Sequence, residues 1–437
     1  MQPSRFTLRR GQGAAQPGAL NCADKAMDEG GPRIALYSHD TQGLGHVRRN
    51  LLVARALRQG GAASAILLLS GVREAAAFAM PEGVDCLTLP SLGKGVDGRY
   101  FPRSLSVPMT DLIKIRREAI NTVLQSFEPD VLIVDKVPLG AFDELLPSLR
   151  LLRRQGKTRV VLGLREILDD PAVVRQEWTT GGYESAIGAY YDRIWIYGDR
   201  VVYDPVREYG FSPDIAAMVR FSGYLNPQDV EHDPRESEAE DPHGTLQSLN
   251  LPPGPLALCL VGGGQDGLPL AEAFLRAALP AQTNGVLVTG PLMPDEARAK
   301  LRSLTAHRTD VRILEFVTDP CPLLRRADRV IAMGGYNTIC EILALHKHAL
   351  IVPRIRPRTE QLIRAACLAD LGVLDMLHPQ DLSPAALSEW LAGDNATSAP
   401  DQGVGRLDFQ GVLRLPSMLE ELLAIPRPDT EVGHAVG

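Results

Sequence analysis

Residues 329–353 read RVIAMGGYNTICEILALHKHALIVP. An apolar run at 329–335 ends in two glycines, a stretch with helical character follows, and a second apolar run occupies 349–353. Both runs are largely apolar throughout instead of alternating with polar residues, which is typical of strands buried on both faces of a parallel sheet. The stretch therefore predicts a strand, a helix and a second strand of an α/β domain.

The same alternation of apolar runs and helical stretches extends along the chain. In one helical stretch Val47, Leu51, Ala54 and Leu57 recur on a single face. The further runs of strand type occupy residues 33–37, 65–69, 84–89, 131–135, 159–164, 194–198, 219–223, 256–264, 285–290 and 311–316. The segment 226–244 is charged, contains proline and shows no periodicity, which favours a linker. We therefore predict an α/β fold of two Rossmann-like, doubly wound domains that face each other across a cleft.

This pattern divides the chain into five predicted segments. A tail without regular structure precedes the first domain, a linker joins the two domains, and a C-terminal helix packs back on the first domain before a frayed end. The boundaries are 1–30 for the tail, 31–229 for the first domain, 230–253 for the linker, 254–395 for the second domain and 396–437 for the C-terminal segment. Ligands of such folds bind at the carboxyl ends of the strands, so a site is expected between the domains.

Bulk composition limits the classes of function. With 437 residues, 45% hydrophobic and 23% charged, the chain is typical of a soluble protein of two domains. The net charge of −7 argues against a nucleic-acid partner. The six cysteines form no C-x-x-C pair, so no metal site is predicted and a cytoplasmic location is favoured. No apolar run approaches the roughly 20 residues of a membrane-spanning helix, and peripheral contact with a membrane stays open.

Three glycine-containing loops follow predicted strands. They are GLGHVRRN at 43–50, GGGQDG at 262–267 and MGGYNTICEIL at 333–343. Glycine permits close approach of the backbone to a ligand, and the N-terminus of the following helix offers free N–H groups, which together suit a phosphate. The loops fit neither the G-x-x-x-x-G-K-[ST] pattern of a P-loop nor the G-x-G-x-x-G pattern of an NAD site. A tight turn without a ligand is the alternative for each loop.

Candidate catalytic groups are concentrated near the first loop. Histidine side chains titrate at about pH 6.5, which suits a general base, and we expect His46 to act as one; capping or packing is the alternative. His39 and Asp40 share the loop, and Asp40 either orients a histidine or takes a proton itself. Asp135, at the end of the run VLIVD, is a second candidate base or orienting group, with capping of the next helix as its alternative.

Charged residues near the loops allow two interpretations each. Thr338 and Glu341 fit the T-x-x-E capping box, but a carboxylate at this place also suits the diol of a ribose. Arg48 and Arg49 are either phosphate ligands or solvated residues of a helix. The same choice applies to the three arginines that follow the run at 349–353, which are Arg354, Arg356 and Arg358.

Taken together and in this order, the stretches resemble the GT-B glycosyltransferases. They are most similar to the family of UDP-N-acetylglucosaminyltransferases that convert lipid I to lipid II. They are also similar to an uncharacterised bacterial group of predicted glycosyltransferases with the pattern SHDT-x-GLGH-x-RR, present here as SHDTQGLGHVRR at 38–49. The likeness covers both domains and is strongest over 311–373. It implies the GT-B fold, an acceptor-binding first domain and a second domain that binds a UDP-sugar.

The resemblance also implies roles for individual residues. Those expected to contact the uracil, diphosphate, ribose or sugar of the donor are Gly263, Gly264, Gln265, Phe316, Val317, Gly334, Gly335, Asn337, Thr338, Glu341, Glu360 and Gln361. Gly43, Gly45 and Arg48 would lie on the phosphate or acceptor side, beside His46. In the lipid II-forming family the first loop usually reads GTGGH followed by an apolar residue and proline. The arginines of this chain depart from that pattern, which leaves the acceptor open.

These observations lead to one main hypothesis and two alternatives. We expect an inverting, metal-independent glycosyltransferase of the hexosyltransferase class, without a cofactor, that moves a hexose or N-acetylhexosamine from a UDP-sugar to a hydroxyl acceptor. Carbohydrate or cell-envelope biosynthesis is the expected setting. His46 is the expected base, with Asp135, Asp40 and His39 as further catalytic candidates. A UDP-sugar hydrolase or 2-epimerase of the same fold is one alternative, and a non-catalytic nucleotide-sugar-binding subunit is the other.

Overall fold

The computed structural model describes residues 30–39, 45–59, 61–94, 99–230, 244–317, 319–393 and 405–426. The predicted N-terminal tail, Asp40, Gly43 and much of the predicted linker lie outside these ranges. Two large parallel sheets, each formed by a continuous part of the chain, dominate the described residues. The prediction of two doubly wound α/β domains is therefore confirmed.

Nine strands lie in the described part of the first domain. They are β1 (Arg33–Ser38), β2 (Ala65–Ser70), β3 (Val84–Thr88), β4 (Leu92–Lys94), β5 (Tyr100–Pro102), β6 (Val131–Asp135), β7 (Arg159–Arg165), β8 (Arg193–Tyr197) and β9 (Val219–Gly223). Seven of them form a parallel sheet in the order β3-β2-β1-β6-β7-β8-β9, and β4 pairs with β5 in an antiparallel hairpin. The strand order changes direction at β1, which has β2 on one side and β6 on the other. Such a switch point opens a crevice at the carboxyl ends of the two strands.

Helices cover both faces of this sheet. They are α1 (Gly45–Gln59), α2 (Met109–Phe127), α3 (Leu146–Gln155), α4 (Pro171–Gly181), α5 (Tyr183–Tyr190), α6 (Pro205–Tyr209) and α7 (Pro213–Met218), with short 3-10 turns at Arg73–Ala77, Ala141–Asp143 and Pro227–Asp229. The apolar face predicted for α1 is buried, since Val47, Leu51, Ala54 and Leu57 are at most 4% exposed. Burial of this face holds the N-terminus of α1 beside the end of β1.

The second domain has the same α/β architecture, with six parallel strands. Its elements, in chain order, are α8 (Thr245–Leu249), β10 (Leu256–Leu260), α9 (Leu268–Arg276), β11 (Asn284–Val288), α10 (Asp295–Thr305), β12 (Val311–Leu314), α11 (Cys321–Arg326), β13 (Arg329–Ala332), α12 (Tyr336–Ala344), β14 (Ala349–Ile351), α13 (Glu360–Asp370), β15 (Asp375–Met376) and α14 (Pro384–Ala392). The strand order is β12-β11-β10-β13-β14-β15. The stretch that opened the sequence analysis forms β13, α12 and β14, and the two strands pair in parallel.

The last described helix, α15 (Gly411–Leu423), returns to the first domain and packs on α1 and β9. Its apolar face, which includes Leu415, Leu419 and Leu422, is buried. Arg414 of α15 also donates to the carbonyl oxygen of Ser222 in β9. In the part of the chain that the structure describes, no helix has the length and apolar character needed to cross a bilayer.

Candidate active site

A cleft of about 1020 Å³ runs between the carboxyl ends of the two sheets. Residues that end or follow β1, β6 and β7 line one wall, and residues that follow β10 to β14 line the other. The predicted site residues on these walls are His39, Gly45, His46, Arg48, Gly263, Gln265, Phe316, Val317, Gly334, Gly335, Asn337, Thr338, Glu360 and Gln361. Asp135, Gly264 and Glu341 are buried and do not line the cleft, while Asp40 and Gly43 lie outside the described residues.

His46, Asp135 and Arg49 form a compact cluster on the first-domain wall. Nδ1 of His46 lies 2.5 Å from Oδ2 of Asp135, and Arg49 Nη2 donates to Oδ1 of the same carboxylate at 2.5 Å. The cluster forms because β1 and β6 are neighbours, so that the start of α1 meets the end of β6. Arg49 is only 3% exposed, and the interpretation of this arginine as a solvated helix residue is therefore wrong.

The charges in this cluster fix the role that Asp135 can take. Burial disfavours the carboxylate of Asp135, but the charges and hydrogen bonds of Arg49 and His46 outweigh it and hold its pKa well below the usual range. A carboxylate that stays ionised is a poor proton acceptor at neutral pH, but it can orient an imidazole. With Nδ1 of His46 engaged, Nε2 is the ring atom left to accept a proton from a bound hydroxyl.

His39 lies beside this cluster but is held neutral. Its ring centroid is 5.9 Å from that of His46, and the side chain is buried. Burial first, and then the nearby charges of His46 and Lys136, lower the pKa of His39 to about 3. Its Nδ1 atom has no hydrogen-bond partner among the described residues. His39 therefore presents an uncharged ring to the cleft.

Two contacts near His46 join the walls of the cleft. Arg48 Nη2 donates to Oε1 of Glu341 at 2.5 Å, and Asn337 Nδ2 donates to the carbonyl oxygen of Gly45 at 3.0 Å. Glu341 is only 2% exposed, and its second oxygen, Oε2, has no partner among the residues that the structure describes. Burial raises the pKa of Glu341, although the charge of Arg48 opposes this effect. Arg48 thus reaches across the cleft to the second domain instead of into solvent.

The helix end expected to bind phosphate is present on the second-domain wall. α12 begins at Tyr336, directly after Gly334 and Gly335, and Gly334 has a φ of +81° that favours glycine. The capping-box interpretation of Thr338 and Glu341 is wrong, because the helix begins two residues before Thr338 and no side chain caps it. The free N–H groups of the first turn therefore face the cleft without a side-chain partner.

The basic loop after β14 is held by carboxylates. Arg354 Nη2 donates to Oε1 of Glu360 at 2.9 Å, and Arg358 pairs with Asp169 at 3.0 Å and with Glu177 at 2.7 Å in the first domain. The interpretation of Arg354 and Arg358 as solvated residues is therefore wrong, whereas Arg356 is exposed. The backbone N–H of Arg354 also donates to Oε1 of Gln361, which fixes the predicted sugar-contacting pair at the start of α13.

Sequence reasoning missed several residues on the first-domain wall. Lys136 follows β6 and Arg165 ends β7, and both line the cleft. The aromatic rings of Tyr100 and Phe142 meet edge to face, with centroids 5.2 Å apart, on the same wall. The position of a cation at the end of a predicted strand is the only sequence signal that identifies the first two. Nothing in the spacing of the aromatic residues indicates their meeting.

Gly264 allows the backbone of the first glycine loop of the second domain to pass close to Thr289. Its φ is +88°, and a Cβ atom there would lie 2.1 Å from the carbonyl oxygen of Thr289. Gly264→Ala is therefore expected to lower the free energy of unfolding by about 1–3 kcal/mol, measured by denaturant titration. Gly263→Ala is the matched control, because a Cβ atom at that position meets only Leu292 at 3.7 Å. Equal losses for the two variants would contradict a backbone clash at Gly264.

Comparison with known proteins agrees with this geometry. Residues 257–399 match the model of the glycosyltransferase family 28 C-terminal domain. The UDP-N-acetylglucosamine–N-acetylmuramyl-(pentapeptide) pyrophosphoryl-undecaprenol N-acetylglucosamine transferase of Burkholderia cenocepacia (strain HI2424) is 31% identical over 193 residues, which are 42% of this chain and 52% of that relative. The chain thus spans about half the length of the curated relatives that it matches.

Solved structures extend the likeness to the whole fold. The calicheamicin glycosyltransferase matches with a TM-score of 0.58 and 17% identity, over 91% of this chain and 100% of that chain. A protein assigned as a UDP-N-acetylglucosamine 2-epimerase from Listeria monocytogenes matches with a TM-score of 0.59 and 13% identity, over 91% and 98% of the two chains. The resemblance predicted from the loops is confirmed at this level. The chain has the GT-B fold, and within its second domain residues 257–399 match the model of the family 28 C-terminal domain.

Proposed function

We propose that this protein is an inverting glycosyltransferase that moves a sugar from a UDP-sugar to a hydroxyl group of an acceptor. One observation carries the proposal: His46, held by Asp135 on the first domain, lies across the cleft from the open N-terminus of α12 on the second domain. A proton acceptor and an anion-binding helix end therefore face the same space. This is the arrangement that the displacement of a sugar from a diphosphate requires.

The donor site of the proposal lies on the second domain. The uracil would contact the backbone at Phe316 and Val317, which follow β12, and the diphosphate would bind at the N-terminus of α12. Glu341 lies behind Arg48, which lines the cleft and donates to its Oε1 atom, and it would accept a hydrogen bond from a ribose hydroxyl through its unpartnered Oε2 atom once Arg48 moves aside. Glu360 and Gln361 would contact the sugar. The match of residues 257–399 to the family 28 C-terminal domain supports this placement.

The chemical step follows from the placement of these groups. Nε2 of His46 removes the proton of the acceptor hydroxyl as the oxygen attacks the anomeric carbon of the donor sugar. The bond from that carbon to the diphosphate breaks on the opposite face, its electron pair leaves with UDP, and the configuration inverts. The N–H groups of α12 and the charge of Arg48 stabilise the departing diphosphate, so the step needs no metal. Asp135 orients the imidazole and stabilises it once it is charged.

The substrates are proposed at the level of chemical class. The names of the relatives from Burkholderia specify UDP-N-acetylglucosamine as the donor and a pyrophosphoryl-undecaprenol compound as the acceptor. We propose a hexose or N-acetylhexosamine as the transferred sugar, in carbohydrate or cell-envelope biosynthesis, and a cytoplasmic protein that can contact the inner face of the membrane. The first loop departs from the pattern of the lipid II-forming family at Arg48 and Arg49. Arg48 stands where that family usually has proline, which favours a different acceptor from theirs.

Hydrolysis or 2-epimerisation of a UDP-sugar is the second candidate. The similarity to a protein assigned as a 2-epimerase favours it at the level of the fold. The His46–Asp135 pair also supports it, because the same base can activate water. The His46–Asp135 pair argues against a non-catalytic nucleotide-sugar-binding subunit, because such a subunit does not need an oriented base.

A panel of nucleotide sugars tests the proposal. Thermal shift with UDP-, GDP- and dTDP-sugars is expected to show stabilisation by the uridine compounds, because ligands that bind only the folded state raise the unfolding temperature. Each UDP-sugar that binds is then incubated with the protein alone. Slow release of sugar without an acceptor supports transfer, whereas rapid release identifies a hydrolase. A preference for GDP or dTDP compounds would contradict the uridine assignment.

A further inference from the structure

Two cations on the first-domain wall lack the carboxylate partners that their neighbours have. Lys136 and Arg165 line the cleft, and no ion pair or side-chain hydrogen bond joins either of them to another described residue. Arg354 and Arg358, by contrast, are paired with Glu360 and with Asp169 and Glu177. A partly buried cation that has no direct carboxylate partner is available to an anion, so this arrangement points to an anionic ligand.

The fold brings the two cations together. β6 and β7 are parallel neighbours with Asp135 opposite Gly163, so Lys136 follows the end of one strand and Arg165 ends the other. The backbone N–H of Lys136 donates to the carbonyl oxygen of Gly163 at 2.9 Å. Both cations therefore lie at the same edge of the sheet, next to the carboxylate that holds His46.

The backbone at Lys136 is strained, which is typical of residues held in place for function. Its φ is +68°, and the N–H of Val137 donates to the carbonyl oxygen of Asp135 at 2.8 Å. This hydrogen bond closes a γ-turn with Lys136 at its centre. Because the φ of Lys136 is positive, the turn is of the rare and strained type. A glycine would adopt the turn without strain, so the turn itself does not require the lysine side chain.

The electrostatic environment of the two side chains favours an anion beside them. Burial first, and then the charges of Arg165 and Arg358, lower the pKa of Lys136 to about 7. Burial is also the main cause that lowers the pKa of Arg165 to about 10, and the charge of Glu360 only partly offsets it. An anion between the two side chains would relieve their repulsion and restore both charges.

We propose that Lys136 and Arg165 form a subsite that binds an anionic group of the acceptor, a phosphate or a carboxylate. The inference rests on the proposed glycosyl transfer for the identity of the ligand, since the first domain is the acceptor side. The subsite adjoins Asp135, so an anion bound there would anchor the acceptor with its hydroxyl near His46. The two cations thereby select acceptors that carry a negative charge.

Calorimetric titration with sodium sulfate and sodium acetate, at constant ionic strength, tests the subsite. The protein is first saturated with UDP, so that the diphosphate site on the second domain is filled. Wild type is expected to bind one of the two anions saturably, and Lys136→Met and Arg165→Met to weaken that binding by about tenfold or more. Preference for sulfate indicates an acceptor phosphate, and preference for acetate indicates an acceptor carboxylate.

Matched variants keep the result interpretable. Lys157→Met removes an exposed lysine of the same domain outside the cleft and is expected to leave anion affinity unchanged. Lys136→Arg keeps the charge and should retain binding. Absence of saturable binding of either anion in wild type, or equal affinity in wild type and Lys136→Met, would overturn the proposal. Failure of UDP to bind would instead contradict the proposed donor, and the same titrations without UDP would then still report on the two cations.

Discussion

His46→Ala is expected to lower turnover by about 100- to 10,000-fold, the usual contribution of a positioned general base. Affinity for UDP should stay close to that of wild type, because His46 lies on the first-domain wall and the proposed donor site lies on the second. Turnover is measured as UDP released at saturating donor, and UDP affinity is measured separately by calorimetry. The two measurements separate loss of the chemical step from loss of binding.

A second variant and a control test whether the loss of turnover depends on the His46–Asp135 pair. Asp135→Asn removes the carboxylate that lies 2.5 Å from Nδ1 of His46 and should also reduce turnover strongly, since the imidazole loses its orientation and charge partner. His307→Ala, at an exposed position of the second domain away from the cleft, is the matched control and should behave as wild type. Wild-type turnover in His46→Ala would remove this residue from the mechanism.

Arg364→Met is expected to produce the largest loss of stability. Arg364 of α13 and Glu166, which directly follows β7, are both fully buried, with Nε and Oε1 2.6 Å apart, and the pair joins the two domains. Tyr224 also donates to Glu166 at 3.2 Å. Removal of the arginine leaves a buried carboxylate without its counter-charge, which costs about 3–5 kcal/mol of unfolding free energy. Guanidinium titration followed by circular dichroism measures this loss.

A second interdomain arginine provides the comparison. Arg358 pairs with Asp169 and Glu177 but is 27% exposed, so Arg358→Met should cost only about 0–1 kcal/mol. The double variant Glu166→Leu, Arg364→Met should regain much of the stability lost in Arg364→Met, because no unpaired buried charge remains. Similar losses for Arg358→Met and Arg364→Met would show that burial of the pair does not determine its contribution.

The sequence predicted both sheets because their strands are apolar throughout. The ends of nearly all strands lie within four residues of the predicted runs, and the largest differences are at β10 and β13, where the runs extended into the glycine turns. β15 was missed because it consists of only Asp375 and Met376, and the β4–β5 hairpin was missed because it lacks apolar alternation. Periodicity identifies strands buried on two faces and is silent on short edge elements.

The loops of the candidate site could be predicted from the sequence, but the side-chain contacts between them could not. Glycine turns and helix starts leave a local signal, and the loops at His46 and Gly334 do meet across the cleft. The ion pair of Arg48 and Glu341 joins residues that are 293 positions apart, so no local pattern could indicate it. Lys136 was missed for the same reason, because its importance depends on its position beside Arg165 at the cleft and on the lack of a direct ion pair in the folded chain.

Titration of UDP and 2′-deoxy-UDP into wild type and Glu341→Ala tests most directly whether the second domain holds a uridine nucleotide through its ribose. Wild type should prefer UDP by about tenfold or more, since a charged carboxylate that accepts a ribose hydroxyl contributes about 1.5–3 kcal/mol. Glu341→Ala should bind UDP more weakly and should bind the two nucleotides alike. Undiminished preference for UDP in Glu341→Ala, or no binding of UDP by wild type, would contradict a UDP-sugar transferase with Glu341 at the ribose.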